Sequence, residues 1–281
     1  MAIVWLGNPY SDDSSLVGSK AATLGRLIKK NRIPPGFVIP ADDLGKSSLD
    51  NPGCSLYKEI TQAYNVLSSI SDTHSLGLAV RSSALAEDSG STSFAGQHDT
   101  FLCVLGQRML IETIIKCKNS VNNSRSSAYR EKQHIEGGEF GISVIVQQMI
   151  PSEVSGIAFS ANPLTRNRRE VFINTSWGLG ESIANGTVTP DNYVVNKDSL
   201  AVISWEISVK ETMTIPSLRG PMEADVAQDL KEKSSLSESQ VTEIAKLCVS
   251  LENEFESNVD IEFAYYKKDL YLLQCRPITT L

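Results

Sequence analysis

The stretch DIEFAYYKKDLYLLQCRPITTL, residues 260–281, decides how the second half of the chain folds. Apolar residues recur on both sides of Lys267-Lys268-Asp269, which predicts two antiparallel strands joined by a short turn. A three-residue turn at these positions would place Glu262 directly opposite Gln274. The strands also contain more charged and amide groups than the stretch itself can pair, which predicts a ligand.

Three polar side chains of this hairpin are expected on one face of the sheet. Arg276 follows Gln274 by two residues, so both point to the face that Glu262 occupies. A carboxylate, an amide oxygen and a guanidinium suit a magnesium-bound polyphosphate, because Mg²⁺ takes oxygen ligands and arginine binds phosphate oxygens in pairs. A salt bridge between Glu262 and Arg276 on a solvent-facing sheet explains the spacing equally well.

The composition limits the possible classes of protein. The 281 residues are 41% apolar, which is enough for one large domain or two ordinary ones. The net charge of −7 argues against nucleic acid as the main partner. The five cysteines show neither CxxC nor metal-binding spacing, and no apolar run approaches the roughly 18 residues of a membrane span. We therefore expect a cytoplasmic protein that binds no membrane.

Helical patterns dominate the first half of the chain. One helix is expected to begin near Gly18 to Lys20, and others cover about 57–70 and 108–133. A further helix is predicted in the second half of the chain. It begins at Ser237, where Gln240 completes a capping box.

The second half is rich in predicted strands. The apolar run 142–150 has the length of a buried strand, and 193–208 reads as a hairpin, whereas 216–225 is interpreted as a connector. Together these elements predict an α+β fold of two lobes, residues 1–135 and 136–281.

Two segments of the first lobe have features of anion-binding sites. Lys20 lies at a helix start behind Gly18-Ser19, where backbone N–H groups and the helix dipole favour an anion, although the P-loop pattern is absent. Arg81 precedes a loop of small residues that includes Gly96 and ends near Thr100, and such loops let backbone N–H groups approach phosphates. A solvated lysine and an ordinary exposed loop are the alternatives.

The stretch VIVQQMIPSEVSG, residues 144–156, leaves a buried strand and enters a polar turn. The backbone at Gln147 to Ile150 could read an adenine, with Met149 packed on the ring and Glu153 within reach of ribose hydroxyls. A strand followed by a turn without a ligand is the simpler interpretation of this stretch alone.

Five stretches together resemble one family, in its order and over nearly the whole chain. They are residues 17–27 with 33–40 (VGSKAATLGRL…IPPGFVIP), 80–104 (VRSSALAEDSGSTSFAGQHDTFLCV), 144–165 (VIVQQMIPSEVSGIAFSANPLT), 176–195 (SWGLGESIANGTVTPDNYVV) and 261–279 (IEFAYYKKDLYLLQCRPIT). They are similar to the ATP-binding domain of pyruvate phosphate dikinase, phosphoenolpyruvate synthase and rifampin phosphotransferase. The acid, amide and arginine of the closing hairpin follow the family's spacing of 12 and 2 residues.

The resemblance implies an ATP-grasp fold, in which ATP lies between two lobes, with three sets of ligands. The phosphates would be held by Lys20, Arg81, Gly96, Thr100 and Arg276. The adenosine would be held by Gln147, Met149, Ile150 and Glu153. Mg²⁺ would be held by Glu262 and Gln274, while Lys20, Arg81 and Arg276 offset phosphate charge as the catalytic residues.

The resemblance also bears on the phosphoryl acceptor. In the family the phosphoryl group passes to a histidine on a mobile domain, and none of His74, His98 and His134 lies in such a context. We therefore expect an ATP- and Mg²⁺-dependent phosphotransferase whose acceptor is a small-molecule hydroxyl or a histidine on a separate carrier protein. A non-catalytic ATP-binding subunit or sensor is the main alternative, and a ligase that forms an acyl phosphate is a weaker one.

Overall fold

The computed structural model describes residues 2–71, 76–85, 100–120 and 141–278 of the chain. Helices and antiparallel sheets are mixed, which confirms the expected combination of both element types. The chain divides into two compact units: unit 1 is Met1–Met149 with Ser217–Gly220, and unit 2 is Ile150–Pro216 with Pro221–Leu281. The lobe boundary expected at 135/136 stays a prediction.

Within the described residues, unit 1 contains a five-stranded sheet in the order β1-β2-β5-β3-β4. Its strands are Val4–Trp5 (β1), Gly36–Ile39 (β2), Leu78–Ala84 (β3), Thr100–Val104 (β4) and Ile142–Gln148 (β5). Its helices are Ser14–Val17 (α1), Ser19–Leu27 (α2), Ala41–Lys46 (α3), Ser55–Ile70 (α4) and Gly106–Ser120 (α5). These bounds confirm the helix expected to begin near Gly18 to Lys20 and the one expected over 57–70. The helix expected over 108–133 is confirmed as far as Ser120, and its remaining residues lie outside the described part of the chain.

Both faces of the unit 1 sheet are covered, which explains the continuous apolar run of β5. Val144 and Val146 pack with residues of α4 and α5, whereas Ile145 packs with Val17 and Ala21 of α1 and α2 on the other face. A strand with helices on both faces gains from apolar side chains at successive positions, so the alternation typical of a half-exposed strand is absent.

Unit 2 contains a six-stranded antiparallel sheet in the order β13-β12-β6-β7-β8-β9. It also contains most of a separate two-stranded sheet, β10-β11, whose turn residues Ser217–Gly220 belong to unit 1. Its strands are Val154–Phe159 (β6), Glu170–Trp177 (β7), Asp191–Asn196 (β8), Val202–Glu206 (β9), Thr212–Ser217 (β10), Gly220–Asp225 (β11), Val259–Tyr266 (β12) and Asp269–Pro277 (β13). Its helices are Glu181–Ala184 (α6) and Glu238–Phe255 (α7). The hairpin expected at 193–208 is confirmed as β8 and β9.

Helix α7 covers one face of the six-stranded sheet. The Ser237 hydroxyl accepts from the Gln240 amide and the Gln240 side chain accepts from the Ser237 amide, so the predicted capping box is confirmed. The face that α7 buries consists of Val241, Ile244, Ala245, Cys248 and Leu251. Helix α7 therefore covers one face of the six-stranded sheet and leaves the opposite face uncovered by this helix.

The interpretation of 216–225 as a connector is wrong, because β10 and β11 form a hairpin there. Pro216 and Pro221 lowered the strand signal, since proline cannot donate to a ladder. In an isolated two-stranded sheet proline is tolerated on the outward edge. Gly220 supplies a φ of 111° just after the turn, and the Ser217 hydroxyl donates to its carbonyl at 2.6 Å. In the described part of the chain, no helix combines the length and apolar character needed to cross a bilayer.

Candidate functional site

The closing hairpin of β12 and β13 brings Glu262 and Gln274 together as predicted, through a different turn. The turn consists of Lys267 and Lys268 alone, with φ of 50° and 71°, and Tyr266 pairs with Asp269. The expected three-residue turn is therefore wrong. Two residues of positive φ give the turn a twist that matches the twist of the strands, although asparagine and glycine are the usual residues there.

A β-bulge restores the pairing that the shorter turn would have shifted. Phe263 pairs with Leu272 and Glu262 pairs with Gln274, so Leu273 is the extra residue. The bulge also places Leu272 and Cys275, three positions apart, on the buried face. A two-residue turn and a one-residue bulge thus give the register that a three-residue turn predicted.

The polar residues of the hairpin lie on the sheet face opposite α7. Glu262 and Gln274 are directly paired, and Asp260 and Arg276 form the next pair of the same face. All four side chains are partly exposed, whereas the intervening Ile261 is buried. We call these four residues the polar face. It presents two carboxylates, one amide and one guanidinium to solvent within two successive cross-strand pairs.

The ion pair of the polar face joins Arg276 to Asp260. The Arg276 Nε donates to both Asp260 oxygens, at 2.8 and 2.9 Å. Register places Asp260 directly opposite Arg276, and Glu262 is one cross-strand pair further along the same face. Burial raises the pKa of the Asp260 carboxyl, the Arg276 hydrogen bond and charge lower it, and the nearby charge of Glu262 raises it again.

Asp260 is the member of the polar face that the sequence analysis did not single out. Its signal was available, since it precedes Glu262 by two residues within a predicted strand and so shares the Glu262 face. The two carboxylates are close enough for one to raise the pKa of the other. Together with the Gln274 amide they form an oxygen set of the kind that Mg²⁺ prefers. Among the described residues, no group of three or more His, Cys, Asp or Glu side chains is placed to hold a metal by itself.

Unit 1 brings Arg81 and Thr100 together. They are direct cross-strand partners in β3 and β4, so their side chains share the sheet face that α1 and α2 cover. Arg81 lies in the middle of β3 rather than at its end, because the strand continues to Ala84. Lys20, in the first turn of α2, is partly exposed over the same face.

The start of α2 is attached to β3 by a backbone contact and a hydrogen bond. A Cβ on Gly18 would lie 2.4 Å from the Ser83 Oγ and 2.5 Å from the Ser83 carbonyl oxygen. The Ser83 hydroxyl accepts from the Ala21 amide at 3.3 Å. These contacts fix Lys20, two residues after Gly18, relative to the strand that carries Arg81.

The residues expected to hold adenosine have different environments. Gln147 is 3% exposed and its Nε2 donates to the Pro34 carbonyl at 3.0 Å, so its side chain is committed to unit 1. Met149 and Ile150 are buried as well. Glu153 has an exposed side chain, while its amide donates to the Tyr265 carbonyl at 2.9 Å. Gly96 and the three histidines lie outside the described residues.

A second carboxylate–cation pair lies in unit 2, away from the polar face. The Lys210 Nζ donates to Asp191 Oδ1 at 2.6 Å and to the Ser208 carbonyl at 2.7 Å, and both charged side chains are fully buried. Asp191 Oδ2 accepts from the amide and the hydroxyl of Ser235, at 2.8 and 2.7 Å. This pair connects β8 to the segments on either side of the β10–β11 hairpin.

Comparison with known proteins identifies the group to which these features belong. Residues 53–281 match the family described as "Pyruvate phosphate dikinase, AMP/ATP-binding domain". The phosphoenolpyruvate synthase of Pyrococcus furiosus is 43% identical over 243 residues, which is 83% of this chain and 30% of that protein.

Two further relatives cover nearly the whole chain. The probable phosphoenolpyruvate synthase of Methanocaldococcus jannaschii is 33% identical over 99% of this chain and 27% of its own length. An uncharacterized phosphotransferase of Bacillus subtilis, YvkC, is 33% identical over 96% of this chain and 34% of its own length. The chain thus spans about a third of the length of these relatives. It belongs to the family of pyruvate phosphate dikinase AMP/ATP-binding domains.

Proposed function

We propose that this chain is an ATP- and Mg²⁺-dependent phosphotransferase domain with an ATP-grasp fold. The observation that carries the proposal is the polar face, where the pairs Glu262–Gln274 and Asp260–Arg276 lie side by side in a chain of the AMP/ATP-binding family. Oxygen ligands beside a guanidinium are the chemistry that a metal-bound polyphosphate requires. Phosphoenolpyruvate synthases among the relatives support the same reaction class.

The polar face fits a magnesium ion by its donors. Glu262, Gln274 and Asp260 would hold Mg²⁺, and the burial of Asp260 beside a second carboxylate favours a bound cation that offsets their charge. When bound, Mg²⁺ neutralises phosphate charge. The Arg276 guanidinium, fixed by Asp260, would bind and orient a phosphate oxygen.

Unit 1 would supply further phosphate ligands. Lys20 lies in the first turn of the nine-residue helix α2, where the helix dipole favours negative charge. Arg81 and its cross-strand partner Thr100 share the face that α2 covers. Lys20, Arg81 and Arg276 would offset the negative charge that develops on the transferring phosphoryl group. The adenosine would be held by the chain from Gln147 to Ile150 and by Glu153.

The acceptor in this proposal is a small-molecule hydroxyl or a histidine on a separate carrier protein. In both cases the bond between the transferred phosphorus and its leaving oxygen in ATP breaks as the bond to the acceptor forms. The protein residues named here bind and orient ATP and stabilise charge, so no covalent intermediate on the described residues is needed. The cytoplasm is the compartment we propose for this reaction.

Nucleotide product analysis tests the proposal. Purified protein is incubated with ATP, Mg²⁺ and a cell extract, either unfiltered or filtered to remove large proteins. Mass spectrometry should detect more AMP or ADP in these mixtures than in the same extract without the purified protein. Glu262→Ala should abolish the added release, and Glu223→Ala, an exposed carboxylate of β11, should not. Nucleotide binding without release in either extract would favour the non-catalytic module, and hydroxamate formation with hydroxylamine would favour the ligase. The absence of ATP binding would contradict the proposal.

A further inference from the structure

The corner between α1 and α2 can be occupied only by glycine. Gly18 ends α1 and begins α2 with φ of 79° and ψ of 160°, a combination that residues with a Cβ avoid. Space excludes a side chain independently, because a Cβ would lie 2.4 to 2.8 Å from three atoms of Ser83. The helix start is therefore pressed directly against the backbone of β3.

Ser83 supplies the cap that Gly18 cannot. A helix N-terminus usually receives a hydrogen bond acceptor from the side chain at its N-cap, and Gly18 has none. The Ser83 hydroxyl takes this role from 62 residues away, accepting from the Ala21 amide at 3.3 Å. Ser83 is fully buried, so the bond is shielded from competing water.

Ser83 and Arg81 point to the same face of β3, because they are two residues apart in a strand. One serine thus joins the strand position that carries Arg81 to the helix turn that carries Lys20. We propose that Ser83 is a positioning residue, which holds the Lys20 ammonium in register with the Arg81 guanidinium for binding ATP phosphates. This inference rests on the proposed function of Lys20 and Arg81 as phosphate ligands.

An isosteric pair of variants tests the hydroxyl itself. Ser83→Thr keeps the hydroxyl, and Ser83→Val replaces it by a methyl group of the same size. Loss of one shielded hydrogen bond at the helix start should weaken Mg-ATP binding in Ser83→Val relative to Ser83→Thr by about 5- to 10-fold, measured by isothermal titration calorimetry. Comparing two variants of equal volume removes the effect of crowding near Gly18.

Ser143 offers a matched control. It lies directly opposite Ser83 in β5, is fully buried, and its hydroxyl accepts from the Ala41 amide and donates to the Leu16 carbonyl, both at 3.2 Å. Its loss should lower the melting temperature about as much as the loss of the Ser83 hydroxyl. Ser143→Ala should change Mg-ATP affinity less than about 2-fold, since its partners do not carry a phosphate ligand.

A double-mutant cycle separates positioning from general destabilisation. If Ser83 acts through Lys20, the Thr-to-Val difference at position 83 should fall below about 2-fold in a Lys20→Ala background. Equal Mg-ATP affinities of the two Ser83 variants would overturn the inference, and so would a Thr-to-Val difference that is as large in the Lys20→Ala background. The proposed function would stand in both cases as long as the unmodified protein binds ATP. Unmodified protein that binds no ATP would overturn both.

Discussion

Two carboxylate–cation pairs of unit 2 have the same chemistry and opposite surroundings. Asp191 and Lys210 are fully buried, and both Asp191 oxygens accept hydrogen bonds from residues besides the lysine. Asp260 and Arg276 keep 14% and 33% of their side-chain surface exposed, and both Asp260 oxygens accept from the same guanidinium nitrogen.

The difference separates an architectural pair from one suited to a ligand. The Asp191 carboxylate accepts hydrogen bonds from backbone amides, a hydroxyl and an ammonium, so its lone pairs are used within the protein. Its role is to connect chain segments rather than to bind a ligand. A carboxylate at a partly exposed face, beside a second carboxylate and an amide, belongs to a set of oxygens of the kind that binds a cation. The burial of a pair and the number of hydrogen bonds that its carboxylate accepts, rather than the ion pair itself, indicate whether the pair connects chain segments or suits a ligand.

The largest effect is expected from breaking the buried pair. Lys210→Met leaves the Asp191 charge buried without its counter-charge, which should lower the free energy of unfolding by about 3–5 kcal/mol in urea denaturation. Arg276→Met should lower it by less, because the Arg276 side chain is 33% exposed and its charge is already partly solvated. Similar losses for the two variants would remove the distinction between the pairs.

Nucleotide affinity should rank the two pairs in the reverse order. Arg276→Met removes a charged ligand of phosphate, worth about 1.5–3 kcal/mol, so Mg-ATP should bind roughly 10- to 100-fold more weakly in calorimetry. Lys210→Met, assayed at a temperature where it is folded, should bind Mg-ATP with nearly the affinity of the unmodified protein. An unchanged affinity in Arg276→Met would exclude Arg276 from the site.

A smaller effect is expected from the turn that supports the polar face. Lys267 and Lys268 both have positive φ, a conformation that asparagine and glycine adopt with less strain. The double substitution Lys267→Asn with Lys268→Gly should therefore raise the free energy of unfolding by about 1 kcal/mol. Mg-ATP affinity should stay the same, and a marked loss would show that the turn does more than set the strand register.

The smallest expected effect is a pH dependence at Asp260. Burial raises the folded pKa of Asp260 above its ordinary value of 3.8, so the folded protein holds this proton more tightly than the unfolded chain does. The resulting stability is fully present below pH 3.8 and is lost as the pH rises through the folded pKa. Arg276 offsets part of this loss and the Glu262 charge adds to it.

The contribution of Asp260 to the free energy of unfolding is measured by urea denaturation of the unmodified protein and of Asp260→Asn from pH 4 to pH 7. Because the variant cannot ionise at position 260, its stability relative to the unmodified protein should increase with pH. A difference that stays constant, or that decreases with pH, would show that Asp260 is not held in a desolvated position.

Much of the fold could be predicted because local patterns and tertiary packing agree. The capping box at Ser237 and the apolar face of α7 specify that helix before any contact is known. The β10–β11 hairpin could not be predicted, since two prolines weaken its strand signal and only backbone geometry at Gly220 reveals the turn. The two-lysine turn was missed because lysine carries no signal for positive φ.

The candidate site divides in the same way. The pairing of Glu262 with Gln274 follows from alternation in two strands, and it survives the wrong turn because the bulge at Leu273 compensates for it. The Asp260–Arg276 pair depends on that same register, and the sequence analysis did not single out Asp260. The contact of Gly18 with Ser83 joins residues far apart in sequence, and no local pattern reports such a contact.

Isothermal titration calorimetry of ATP binding, with Mg²⁺ and with EDTA, tests the central claim most directly. If Glu262 acts through the metal, Glu262→Ala should weaken ATP binding by roughly tenfold or more with Mg²⁺ and by less than about 2-fold in EDTA. Glu223→Ala should match the unmodified protein in both conditions. An equal loss in both conditions, or no loss in either, would contradict the assignment of the polar face as a site for metal-bound ATP.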